Sequence, residues 1–80
     1  MFDPNDIYTD STGVRFLCEY ICKDSNEAEF LEASYLGPLR QKYFCAELYA
    51  KNKVLIIDTP DKQTTYDIAI LLNNSISSKN

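Results

Sequence analysis

The sequence contains no histidine. That removes the commonest general base, the usual partner that activates a serine or cysteine nucleophile, and the commonest nitrogen ligand for a metal. Most hydrolase arrangements are excluded with it. Glycine is nearly as scarce, with only Gly13 and Gly37 in 80 residues. A phosphate-cradling loop or a dinucleotide fingerprint needs several close backbone approaches in one short stretch, so nucleotide enzymes are excluded as well. The opening Met1-Phe2-Asp3-Pro4-Asn5-Asp6 has no basic segment followed by an apolar one, and no apolar run nears the roughly 20 residues of a membrane span. A cytoplasmic protein without membrane association is expected. The three cysteines, an odd number, then read as reduced thiols rather than a disulfide framework.

What is present describes one ordinary domain. The chain is 45% hydrophobic and 25% charged, with five Gly plus Pro together. A protein of this size exposes roughly 5,000 Å² when folded against roughly 13,000 Å² unfolded, which allows a single small core. The net charge of −4 argues against affinity drawn from phosphates, so nucleic acid is an unlikely partner. The charge is also uneven: residues 1–36 hold eight acids against Arg15 and Lys23 (−6), and residues 37–80 hold four acids against six bases (+2).

Along the chain, residues 1–13 are rich in Asp, Thr and turn formers and read as a loose N-terminal arm, either disordered or docked through Phe2, Ile7 and Tyr8. Val14 to Cys22 alternates as a strand with the even positions inward, although Val14, Leu17, Cys18 and Ile21 also fit a helical stripe. Asp24 with Glu27 is a capping-box pair that opens a helix with Ala28, Leu31 and Tyr35 inside, and Gly37-Pro38 supplies its stop. Glu27, Glu29 and Glu32 flank the buried stripe and face water. Residues 43–50 and 54–58 read as two strands around Lys51-Asn52-Lys53, with a helix from Pro38 to Ala50 as the competing reading. The run Val54 to Ile57, apolar on both sides, belongs in the centre of the sheet with cover on each side. Thr59-Pro60-Asp61 then caps a helix to about Asn73, with Thr65, Ile68, Ala69, Leu72 and Ile76 on one stripe. Residues 75–80 read as a frayed tail. The fold class is therefore α+β, a small two-layer domain over residues 14–74 in the order β-α-β-β-α, its antiparallel sheet covered by helices; a mostly α-helical fold is the alternative.

Few residues point to chemistry. Cys18, Cys22 and Cys45 lack a fourth ligand and close spacing, so they read as buried apolar side chains, and no metal or cofactor is expected. Asp58 sits at the end of a strand, where catalytic acids are found in alternating folds, but with Thr59-Pro60 beside it the turn reading is preferred. Six tyrosines among ten aromatics exceed what so small a core can enclose, and tyrosine suits surfaces that are apolar on one side and wet on the other. Tyr43 and Tyr49 share a strand face with Cys45 and Glu47, and helices are expected to cover both sides of the sheet unless that face is a contact surface.

Together these features describe a non-catalytic acidic module that occupies a surface of a larger protein, as an inhibitor or adaptor. Small acidic proteins that inhibit nucleic-acid enzymes, viral blockers of host defences among them, share this size and charge, an association rather than a deduction. The expected contact residues are Tyr43, Tyr49, Glu27, Glu29 and Glu32. The alternatives are a homodimeric scaffold joined through its sheet edge or C-terminal helix, and a nucleic-acid binder using Arg40, Lys42, Lys51 and Lys53 with Tyr43 and Tyr49.

Overall fold

The run Val54-Leu55-Ile56-Ile57 lies in a central strand, as its two-sided apolarity demands. A computed structural model describes residues 1–78 and gives six elements: β1 (Tyr8–Thr9), β2 (Phe16–Ile21), α1 (Ser25–Lys42), β3 (Glu47–Lys51), β4 (Val54–Thr59) and α2 (Lys62–Ser77). The strands make one antiparallel sheet in the order β1-β2-β4-β3, so the class is α+β with one short strand more than expected.

The N-terminal arm is docked rather than loose. Phe2 is buried, its ring meets Tyr20 edge-on at 5.5 Å, and the Asn73 amide clasps its backbone, accepting from Phe2 N–H (2.9 Å) and donating to Phe2 C=O (2.8 Å). An aromatic side chain placed so near the terminus is thereby fixed by burial plus two hydrogen bonds, and β1 follows from that anchorage.

In β2 Cys18 points inward and is buried, as is Cys22 just past the strand's end, while Val14 lies before the strand and is exposed. Helix α1 starts as expected: the Asp24 carboxylate accepts from Glu27 N–H (2.8 Å), and Glu27 returns the favour to Lys23 N–H (3.0 Å). It does not stop at Gly37-Pro38. Gly37 avoids the left-handed conformation that a stop would use. The helix runs on because its final turn buries Leu39, which outweighs the hydrogen bond Pro38 cannot donate, and it closes with Tyr43 N–H on Leu39 C=O (2.7 Å). Consequently β3 begins at Glu47, not at Tyr43, and the helix proposed for residues 38–50 survives only to Lys42. The β3–β4 turn manages without glycine because Asn52 takes φ 56°, a conformation that Asn tolerates well.

Helix α2 is capped by Asp61 rather than Thr59: the Asp61 carboxylate accepts from Thr64 N–H at 2.9 Å. Thr59 is the last residue of β4, fully buried, and its hydroxyl bonds Thr65 Oγ1 (2.8 Å) and the Asp61 carbonyl (2.7 Å). The helix extends to Ser77, so Ser75 and Ile76, assigned to a frayed tail, are helical, with Ile76 against the core. Ser77 ends the helix and Ser78 caps it, and the last two residues of that tail, 79–80, lie outside the described residues. Both helices pack on the same side of the sheet, over Cys18, Leu48, Leu55 and Ile57, and the two-sided cover expected for β4 is absent among the described residues.

A candidate binding surface on the uncovered sheet face

Strand pairing determines what the uncovered face presents. Leu17, Glu19 and Ile21 of β2 stand beside Asp58, Ile56 and Val54 of β4, which in turn stand beside Glu47, Tyr49 and Lys51 of β3; Tyr8 of β1 joins next to Leu17. The central position of this grid, Ile56, is apolar and stands between Glu19 and Tyr49. Ile56 is only 5% exposed and Leu17 only 7%, although no helix among the described residues covers them, so their neighbours' side chains close over them. Ile21, at 65%, is left in water at one corner.

The polar residues around that centre are tied to one another. Arg15 donates from Nε to Asp58 Oδ1 (2.6 Å) and from Nη2 to the Asp58 carbonyl (3.1 Å), and Tyr49 OH donates to Asp58 Oδ2 (3.3 Å). Tyr8 OH donates to Glu19, and Arg40 reaches from α1 to hold both oxygens of Glu47 (2.7 and 2.8 Å). Desolvation, then the Asp58 charge and hydrogen bond, raise the Tyr49 phenol; desolvation and Glu19 raise that of Tyr8. Both stay protonated donors far above neutral pH. Three carboxylates (Glu19, Glu47, Asp58) and three cations (Arg15, Arg40, Lys51) share this side, two of each as the pairs Arg15–Asp58 and Arg40–Glu47, so its formal charges cancel in a chain of −4.

The expected site residues are dispersed. Tyr49 lies on the uncovered face, but Tyr43 caps α1 with Lys42 Nζ 5.7 Å over its ring, so the two do not share a surface. Glu27 is occupied by Lys23 N–H, and Glu32 by Ala50 N–H of the edge strand β3 at 2.8 Å, so neither simply faces water; Glu29 does. These carboxylates complete backbone hydrogen bonding, which their helix-face spacing did not reveal. Asp58 is not a turn residue but a strand residue in an ion pair. Cys45 is exposed in the α1–β3 loop, against the expectation of three buried thiols, because strand alternation never reaches it. Arg40 and Lys42 lie at one end of β3 and Lys51 and Lys53 at the other, so the basic set does not converge. Arg15, Leu17, Ile21 and Ile56 were missed, and Asp58 and Tyr8 were noticed but not placed on this surface; the odd positions of β2 and the even positions of β4 are the pattern that carries Leu17, Ile21, Ile56 and Asp58. No family model, curated protein or solved structure matches the chain.

Proposed function

We propose that this protein is a non-catalytic binding module, an inhibitor or adaptor in a reducing cytoplasm, that occupies a surface of a larger protein through the uncovered face of its sheet. The observation that carries the reading is that face itself: no helix among the described residues covers it, its polar side chains and two tyrosines are held by hydrogen bonds over the buried Leu17 and Ile56, and Ile21 stands exposed at its corner. Tyrosine is enriched at protein interfaces, and tyrosines already held by their hydroxyls lose little freedom when a partner covers them. The remaining acids on residues 1–36 act at longer range, steering association with a basic partner rather than forming its footprint.

The test is capture from the native host's extract by immobilised protein. The wild type and a Phe30→Ser control on the exposed side of α1 should retain the same partner, and Tyr49→Ala with Ile21→Ser should lose it while keeping the wild-type circular dichroism. Retention by the folded double variant overturns the reading.

A further inference from the structure

Phe44 is 86% exposed, the most exposed large apolar side chain described, and it is among the residues that line a cavity of about 250 Å³. The α1–β3 loop (Lys42 to Ala46) lines one wall, and the β4–α2 junction (Thr59, Pro60, Asp61, Thr64) the other. The two charged residues of the lining have opposite signs and come from opposite walls. Lys42 ends α1, and Asp61 caps α2 with Oδ2 bonded to Thr64 while Oδ1 takes no part in those bonds. This patch is thus a knob, a hole, a cation and an anion on one small surface.

Such a patch is complementary to itself. In a pair of copies related by a two-fold axis through the loop, a contact of Phe44 with the other's cavity, or of Lys42 with the other's Asp61, is made twice. We infer that the protein self-associates through this end of the molecule as a weak, isologous dimer, on a surface separate from the uncovered sheet face. The occupant is a second copy because the charges match in pairs: a ligand of one sign meets repulsion from one wall, whereas the chain's own surface supplies both signs at the required places. Size points the same way, since a cavity of this volume sits at the small end of sites for free ligands but accepts one phenyl ring.

Cys45 is a reporter within the patch, the one exposed thiol beside buried Cys18 and Cys22. Sedimentation from about 10 µM to about 1 mM should give a rising mass that tends to twice the monomer's. Over the same range the Cys45 reaction with a chromogenic disulfide should slow as the patch is covered. Phe44→Ser, a change at an exposed position, should abolish both concentration dependences. Lys42→Asp and Asp61→Lys should each be monomeric alone, through like-charge pairing, yet form a mixed dimer when combined, since the mixture restores both opposite-charge contacts. A wild type monomeric throughout, a dimer that Phe44→Ser leaves intact, or swapped variants that dimerise alone and gain nothing on mixing overturns the proposal. Should Asp61→Lys fail to fold without its cap, Phe44→Ser and Lys42→Asp still decide the matter.

Discussion

The two faces of the sheet are built from the same strands and closed in different ways. On the helix side, Cys18, Leu48, Leu55 and Ile57 reach zero or near-zero exposure by packing against Ala28, Leu31, Ile68 and Leu72. On the other side, Ile56 and Leu17 reach almost the same burial with no helix above them, shielded by side chains that are themselves pinned by hydrogen bonds. Burial alone therefore does not distinguish core from surface here. What differs is the material of the cover: a close-packed apolar layer that cannot be removed without unfolding, against a polar lattice that a partner can overlay.

The sharpest way to break the comparison is to remove the same atoms from each side. Ile57→Ala leaves a cavity under both helices and should cost about 2–5 kcal/mol, whereas Ile56→Ala, whose neighbours can settle toward water, should cost clearly less. Denaturant unfolding measures both, and equal losses would mean that the uncovered face is packed like the core.

The second test uses pH. Burial, with help from Asp3 and Asp6, pushes the Cys18 thiol up from 9.0 to about 11, and burial raises Cys22 as well. Both are neutral in the fold. An unfolded chain ionises its thiols near pH 9 while the folded one holds its protons, so the thiols' contribution to stability should be level below about pH 9 and fall between about 9 and 11, by roughly 2–3 kcal/mol for Cys18. The raised phenols of Tyr8, Tyr20 and Tyr49 extend the decline above their ordinary value of 10.0. Cys18→Ala should flatten the first part of that profile, measured as urea midpoints across pH, and an unchanged slope would remove the thiol as its cause.

How much of this was legible depends on range in sequence. The α+β class, the central position of Val54 to Ile57, the inward Cys18 and Cys22 and the Asp24 cap follow from local alternation, spacing and side-chain chemistry, and all are present. The end of α1 was not legible, because Gly37-Pro38 is a stop in isolation and Leu39 overrides it only through tertiary burial. That single displacement moved Tyr43 off β3 and separated it from Tyr49. The docking of Phe2 on Asn73, 71 residues away, and the reach of Glu32 to Ala50 leave no local trace either. The candidate surface was half visible: Tyr49 was found, and its neighbours depend on a register that only the pairing of β2 with β4 determines.

Helix caps give a smaller effect and locate the second helix start. Asp61→Ala removes the acceptor for Thr64 N–H and should cost about 1 kcal/mol, as should Asp24→Ala at α1, while Glu29→Ala on the exposed side should stay under about 0.5. Thermal unfolding orders the three, and an Asp61 effect as small as that of Glu29 would return the cap to Thr59.

The smallest stability effect belongs to the residue expected to matter most for binding. Ile21 follows Tyr20 and Glu19 on β2, but at 65% exposure its side chain contributes little apolar burial, so Ile21→Ser should change unfolding free energy by less than about 0.5 kcal/mol. Covering that same side chain in a complex removes it from water for the first time, and a fully buried aliphatic side chain is worth about 1.5–3 kcal/mol, a ten- to hundredfold change in affinity. The loss should appear in the dissociation rate, because no charge is altered and long-range steering is intact. Surface plasmon resonance against the captured partner separates the two rates. A variant with wild-type stability and both rates unchanged would place Ile21 outside the contact, and the footprint would then lie toward Tyr49 and Lys51 on β3.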